Sequence, residues 1–278
     1  MATADQAQHA AVASTPACDP TASLRPPPGP PTVTPGSFMA TIRHRGYLVV
    51  GVDLNNYHLG YLNPSDGQIE GFDIDMLHAV AAAIFGDPNK IHYVGITDAQ
   101  RIPYVQSGRV DIVAHTMTIT CARWQKVDFS TVYLQAHQQI LVEDGSRIQG
   151  VNDLAGRKVC ATPSSTSLGY LQQHGAIGVE AYDWSDCLVK LQQGQVVAIS
   201  TDNVILAGLK AQDPFTKIVG PELTNEPYGL AISKQHADFV RFVNAVLAQM
   251  RTDGQWSASY RHWIGNPAPA PPPAQYQA

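Results

Sequence analysis

The sequence predicts an α/β fold: two sheets of parallel or mixed strands, each flanked by helices. Three observations carry that prediction. Strand-length apolar runs alternate with helix-length amphipathic runs from about residue 47 to residue 253. The pattern also echoes itself: residues 104–116, YVQSGRVDIVAHT, and residues 189–201, VKLQQGQVVAIST, each read as helix end, glycine, short apolar strand and polar exit. Finally, 278 residues with 44% hydrophobic content suffice for two ordinary domains with real cores. Two lobes built on one helix–glycine–strand idea would each present a strand end to a shared cleft. The competing reading of the echo is a chance likeness between two βα units.

Taken in order, the elements begin after a leading segment, residues 1–40, whose stretch RPPPGPPTVTPG (25–36) is proline-rich. Proline runs stay extended without packing a core, so this segment and the similar tail NPAPAPPPAQYQA (266–278) are expected to be disordered and outside the fold. Residues 47–52 form a strand ending at Asp53. Residues 73–85 form a helix, with Ile74, Leu77, Val80 and Ile84 on one side and Gly86 just beyond. A strand at 91–94 leads to a helix over 98–107, closed by Gly108. Residues 132–142 are long and apolar enough for one strand crossing between lobes. Beyond it follow a strand at 158–161, helices at 166–174 and 185–193, a strand at 196–200, and helices at 203–211 and 237–253.

The stretch 110–134, VDIVAHTMTITCARWQKVDFSTVYL, concentrates the polar chemistry. A short buried strand at 110–114 runs out into His115, Thr116, Thr118 and Thr120. Thr120 is placed to cap a short helix carrying Arg123. Ligands of open α/β sheets bind beyond the carboxyl ends of strands, and arginine offers a planar two-pronged donor to a carboxylate. A solvated surface arginine after an ordinary loop is the plainer alternative.

Composition excludes several classes. A net charge of −5 argues against nucleic acid or an anionic membrane surface as partner. No apolar run approaches the ~18 residues of a membrane helix. Residues 1–17 lack the basic start and apolar middle of a signal peptide, so the protein is cytosolic or the chain begins after an export signal. The four cysteines, at 18, 121, 160 and 187, show no C-x-x-C and no zinc spacing, and neither metal nor cofactor is implied. In an exported protein they suggest two disulfides with three possible pairings; in a cytosolic one, small buried residues. There is no G-x-S-x-G, H-E-x-x-H or P-loop. Phe72 reads as core, the four tryptophans as packing, and His44, His78 and His262 have no partner spacing.

The stretches GYLVVGVD, GFDIDML, GRVDIVAHTMTIT-x-x-R, VDFSTVYL, DLAGRKVCATPSSTSL, QQGQVVAISTDNVIL, PYGLAIS and DGQWSASYRHWIG resemble polar amino-acid-binding proteins of ABC uptake systems. More narrowly, they are similar to the glutamine/glutamate-binding lipoproteins of actinobacteria, across roughly residues 41–265. The resemblance implies a two-lobed periplasmic-binding-protein type II fold. Lobe 1 would comprise 41–134 and 226–265, lobe 2 would comprise 138–222, and the hinges would fall near 134–139 and 221–228. It implies a monomer without enzymatic activity, extracytoplasmic and cell-envelope associated, partnered by a membrane ABC permease. A membrane signalling protein reading the closed form is the alternative partner, and a periplasmic dehydratase on the same fold is the enzymatic rival.

The resemblance also assigns roles. Arg123 and the Thr118 N–H and hydroxyl would hold the ligand's α-carboxylate, with Ser165 and Thr166 adding donors where a helix begins. Asp202 and the Thr116 carbonyl would accept from the ammonium; a helix cap is the competing role for Asp202, as it is for Ser165 and Thr166. Asp53 would meet the ligand side chain or serve as a turn residue. The chain departs from the family pattern at His115, Thr162 and Thr201. It departs again at Asn56 and Asp98, which stand where the family has aromatic platforms, so Tyr57 is the one nearby ring. Pro163-Ser164-Ser165-Thr166 replaces a glycine-bearing loop, where a serine at positive φ would be strained. Glutamine, glutamate, asparagine and aspartate all remain open as ligands. The same likeness pairs Cys160 with Cys187, and leaves Cys18 either bridged to Cys121 or carrying a lipid.

Overall fold

A computed structural model describes residues 18–277. Two five-stranded sheets organise the chain. In the first, the order is Ile91–Gly95, Leu48–Val52, Ile112–Ala114, Ala231–Ile232, Asp128–Phe129; the first three strands are parallel and the last two pair antiparallel. In the second, the order is Ile177–Glu180, Lys158–Ala161, Ala198–Asp202, Gln138–Glu143, Thr216–Val219, again with three parallel strands followed by antiparallel ones. The internal echo is therefore architectural. Ile112–Ala114 and Ala198–Asp202 hold the same third place in their sheets. Each follows a helix, Arg101–Gln106 or Trp184–Gln192, and a glycine at positive φ, Gly108 at 70° or Gly194 at 66°.

The inner strands Leu48–Val52 and Ile112–Ala114 are apolar on both faces because both faces are covered. One core cluster takes in Leu48, Val50, Ile112, Phe72 and Leu77 of the first lobe and runs on into the second through Ile140, Val159 and Ile199. A second, with Val105, Val113, Val127 and Phe129, lies on the other side of the first sheet. The helix Phe72–Phe85 starts at Gly71 for a steric reason: φ there is 134°, and a Cβ would sit 2.2 Å from the Leu59 carbonyl oxygen. It ends on Gly86 in the left-handed conformation. No helix among the described residues is long and apolar enough to cross a membrane.

Two crossovers join the lobes. The run expected as one strand over 132–142 is broken in two, because its halves pair with different partners. Leu134–Ala136 pairs antiparallel with the returning Glu226–Tyr228, and Gln138–Glu143 enters the second sheet. The break falls at His137, whose N–H donates to Asn203 Oδ1.

The proline-rich ends depart from expectation more fully. Ala22–Ser23 pairs in parallel with Gln275–Tyr276 on the first lobe. Ser23 is fully buried and donates to the Phe129 carbonyl at 2.6 Å, while Asn244 Nδ2 donates to Ser23 Oγ and the Leu24 carbonyl. Trp124 Nε1 donates to the Pro20 carbonyl and Arg251 Nε to that of Pro272. An extended proline-rich chain makes no internal hydrogen bonds, so its carbonyls remain acceptors for side chains of the lobe. Residues 1–17, part of the expected leading segment, lie outside the described residues.

Candidate functional site

On the first lobe the site grows from the end of the Ile112–Ala114 strand. Thr116 follows at φ 44°, an unusual conformation for a β-branched residue. Buried Asp73, in the first turn of its helix, holds it there: Oδ2 accepts from the Thr116 N–H and Oδ1 from the Tyr133 hydroxyl, both at 2.8 Å. The motif that reads as a fold marker in sequence thus also aims the strand exit. Thr120 caps the short helix Cys121–Trp124 through a bond from the Arg123 N–H. Partly buried Arg123 donates through Nη1 to the Thr118 carbonyl (2.6 Å) and through Nη2 to the Ser164 carbonyl of the other lobe (2.9 Å). Burial, then the Arg101 charge, pulls its guanidinium down to about 10, still charged at neutral pH.

On the second lobe, Ser164 does adopt positive φ, 64°, the strained position anticipated for this loop. Ser165 caps the helix Thr166–Gln173 by accepting from the Leu168 N–H. Asp202 ends the Ala198–Asp202 strand at the N-cap position, yet its carboxylate makes no cap bond; Asn203 Oδ1 accepts from the Val204 N–H instead. Asp202 Oδ2 accepts from the Tyr228 hydroxyl at 2.5 Å, and Oδ1 has no partner among the described residues. Burial first, and the nearby Glu226 charge second, push the Asp202 carboxyl up to about 8.

Between these walls lies one small cavity lined by Asp98, Arg101, Thr116, Thr118, Arg123, Ser165, Thr166, Ser167, Thr201 and Asp202, with Trp184 and Ile205. The space open to the centre of a water-sized sphere is about 10 Å³, room for roughly one water. The lobes therefore stand closed, and the closure is visible in direct contacts. Asn55 Nδ2 donates to Asp183 Oδ2 at 2.9 Å, Thr162 Oγ1 donates to Asp98 Oδ2, and Gly208 lies against the Tyr57 carbonyl.

Seven of the sequence-derived candidates, Thr116, Thr118, Arg123, Ser165, Thr166, Thr201 and Asp202, share this cavity. Five stand outside its lining. Asp53 is buried, accepts from the Asn55 N–H through Oδ1 as a turn residue does, and lies 3.8 Å from His115 Nε2. Burial pushes its carboxyl up against the pull of His115. His115 directs Nε2 to the Ile96 carbonyl at 2.8 Å and brings Nδ1 to 3.4 Å from Asp98 Oδ1, so it backs Asp98. Thr162 backs Asp98 from the other lobe. Tyr57 packs its ring on His58 and edge-on to Tyr61, and buried Asn56 has an unpartnered Nδ2.

Sequence reasoning missed three contributors, Arg101, Glu226 and Trp184, and gave Asp98 no role beyond standing at a platform position. Asp98 and Arg101 form a buried ion pair at 2.8 Å within the cavity; their i, i+3 spacing was the signal for the pairing. Glu226, in the returning crossover, accepts from the hydroxyls of Thr118 (2.6 Å), Thr166 (2.9 Å) and Thr224 (2.6 Å). The Thr118 hydroxyl, assigned to a ligand carboxylate, is thus held here by a carboxylate of the chain. Trp184, read as packing, lines the cavity with an Nε1 that is unpartnered among the described residues. The other three indoles are bonded, to Pro20, Tyr133 and Asp75.

The family model for bacterial extracellular solute-binding proteins, family 3, matches residues 48–266. The chain belongs to this family. Among curated relatives, the ABC transporter glutamine-binding protein GlnH of Bacillus subtilis (strain 168) is 38% identical over 229 residues, 81% of this chain and 84% of the relative. The glutamate-binding protein GluB of Corynebacterium efficiens is 33% identical over 235 residues, 80% of each chain. Among solved structures, an ancestral arginine-binding protein bound to glutamine superposes with a TM-score of 0.75 at 33% identity, covering 80% of this chain and 99% of that one. The two-lobed architecture is the family's own.

As a solute-binding protein of an extracellular family, the chain works outside the cytoplasm, and its cysteines fit that compartment. Cys160 and Cys187 join the Lys158–Ala161 strand to the Trp184–Gln192 helix, with Cα atoms 5.5 Å apart. Cys18 and Cys121, Cα atoms 6.0 Å apart, tie the N-terminal strap to the helix that carries Arg123. The Cys18 sulfur is thus engaged in a bridge.

Proposed function

We propose that this chain binds one polar L-amino acid, one of glutamine, glutamate, asparagine and aspartate, between its lobes for ABC-type uptake. The supporting observation is one cavity that joins the Arg123 guanidinium to an acidic side chain, Asp202, whose Oδ1 is buried and unpartnered among the described residues and which an ammonium would draw into its ionised form. A free amino acid is a zwitterion, and its burial is favourable only where both charges are matched. Arg123 takes the α-carboxylate with the Thr118 N–H and the start of the Thr166–Gln173 helix. Asp202 and the Thr116 carbonyl accept from the ammonium. Because the closed cavity holds about one water, the ligand enters an open form, and the crossovers bend to admit it. Lobe limits of 41–134 with 226–265, and 138–222, belong to this reading, and the pairing of the crossovers Leu134–Ala136 and Glu226–Tyr228 supports the inner ones.

In this reading the protein is a monomer held at the cell envelope, it performs no chemistry on its ligand, and a membrane permease reads the closed form. A membrane sensor would read the same form; reconstitution with the permease separates the two, since only the first gives transport. The binding reading is tested by thermal shift of the purified protein against the twenty amino acids. A micromolar ligand, about −8 kcal/mol, adds roughly 2.7 kcal/mol of stability at a hundredfold excess over Kd. No shift with any of the four polar candidates refutes it.

A further inference from the structure

Arg123, the proposed carboxylate grip, rides on a helix of four residues, Cys121–Trp124, none of them buried. A single helical turn has little stability of its own, so contacts outside it must fix where the guanidinium points. The inward ties come from the preceding loop: the Arg123 N–H donates to Thr120 Oγ1 at 3.2 Å, and Nη1 donates to the Thr118 carbonyl. The outward ties come from the N-terminal strap and fall on either side of Arg123. Cys121 is bridged to Cys18, and Trp124 Nε1 donates to the Pro20 carbonyl at 2.9 Å. The Trp124 ring also stands edge-on to Phe129, whose carbonyl accepts from buried Ser23 of the strap at 2.6 Å. Farther along, Asn244 Nδ2 donates to the Leu24 carbonyl, and Ala22–Ser23 pairs with Gln275–Tyr276. The strap is thus anchored in the buried part of the lobe and reaches from there to both flanks of Arg123. It precedes residues 48–266, the stretch matched by the family model.

We propose that the strap is a positioning element for ligand binding: Cys18 and Pro20, acting through Cys121 and Trp124, hold Arg123 where its two-pronged grip requires it. This rests on the binding function proposed above and names what sets the strength of that grip. A guanidinium fork bonds both carboxylate oxygens only when the two planes coincide, and a turn free to rock swings the fork out of that plane. The strap ties act at positions 121 and 124, one on each side of the arginine, so neither end of the turn swings freely. The bridge in the strap is also the accessible one. Cys18 is exposed and Cys121 partly so, whereas Cys160 and Cys187 are fully buried. An external dithiol reaching the outer bridge passes it two electrons and two protons and leaves as a disulfide. Two cysteine thiols remain and the strap end is released, while the lobe 2 bridge stays shielded. Affinity for the amino acid is thereby tied to the thiol state of a bridge that takes no part in the grip itself.

The test is calorimetry and stopped-flow binding of the full chain with L-glutamine, L-glutamate, L-asparagine and L-aspartate, well below the melting temperature of each protein so that every sample is folded. The paired Cys18→Ser, Cys121→Ser variant is expected to bind on the order of tenfold more weakly than the parent. Trp124→Phe, which keeps a ring and loses the N–H donor, is expected to bind about threefold more weakly. The factor is the same for every ligand the parent binds, because all share the α-carboxylate, and faster dissociation carries it. The parent treated with dithiothreitol, at a dose that mass spectrometry shows to open Cys18–Cys121 alone, reproduces the double variant, and reoxidation restores its affinity. This arm stays decisive if the double variant does not fold. A strap that merely stabilises the lobe lowers the melting temperature and leaves the dissociation constants at the parent's values; that result in any of the three folded proteins overturns the proposal. A loss that differs between ligands overturns it too. Binding of none of the four ligands by the parent overturns the underlying function instead.

Discussion

Replacing Asp202 by asparagine should stabilise the ligand-free protein while destroying its grip on the ammonium. The carboxylate is 4% exposed, lies near Glu226, and has one oxygen without a partner, and these surroundings push it from 3.8 up to about 8. An acid whose folded pKa is raised holds its proton in the folded state while the unfolded chain releases it. Between pH 3.8 and about 8 the folded state therefore binds more protons, and stability falls as pH rises through that window. At neutrality roughly three pH units of the window have been crossed, at about 1.36 kcal/mol each, a penalty on the order of 4 kcal/mol. Asparagine keeps the shape and an acceptor for the Tyr228 hydroxyl but removes the titration. Urea melts at pH 5, 6, 7 and 8 should show the variant pulling ahead of the parent as pH rises, while calorimetry shows its affinity lost. Parallel pH profiles for the two proteins would refute the reasoning, because they would show that the penalty resides elsewhere.

Three further outcomes follow from the same geometry. Arg123→Ala should abolish binding, a loss on the order of 3–5 kcal/mol, and Arg123→Lys should recover little of it because a point charge lacks the two-pronged fork; micromolar binding retained in the alanine variant would place the carboxylate elsewhere. Gly208→Ala should weaken binding while leaving each lobe's stability intact: a Cβ there meets the Tyr57 carbonyl oxygen at 2.6 Å across the closed cleft, so the lobes are propped apart, and small-angle scattering with ligand would show the extended form. Removing the Cys18–Cys121 bridge by paired serine substitution should cost about 4–5 kcal/mol and removing Cys160–Cys187 about 3–4, since the first spans 103 residues and the second 27; denaturant midpoints in the reverse order would count against chain entropy as the cause.

What could be read from the sequence was what periodicity and local capping encode. The alternation of strands and helices, the paired helix–glycine–strand units and the Thr120 cap needed only neighbours along the chain. The break at His137 did not show, because the residues on both sides are strand-like and only their separate partners divide them. The packing of the proline-rich ends was equally hidden. It is made by backbone carbonyls meeting Asn244, Trp124 and Arg251, and carbonyls are the same in every residue. Of the proposed grips, Asp202 ends a strand and Arg123 sits on the short capped helix after one, where polarity following an apolar run is conspicuous. Glu226 lies in a crossover and Arg101 inside a helix, so neither position advertises a cleft. Trp184 was misjudged for a related reason: an indole looks alike in sequence whether its N–H is bonded or not.

The pairing of Ala22–Ser23 with Gln275–Tyr276 has a practical corollary for anyone wishing to watch this protein at work. Both of those segments ride on the same rigid body, fastened through Phe129, Asn244 and Arg251. Fluorophores placed on the two ends keep one separation whether the jaws gape or shut, and such a sensor stays dark. In the opening proposed above, the jaw that moves is the loop-out of the chain between Ala136 and Glu226. A dye at exposed Lys210, read against one near Tyr276, samples the distance that changes.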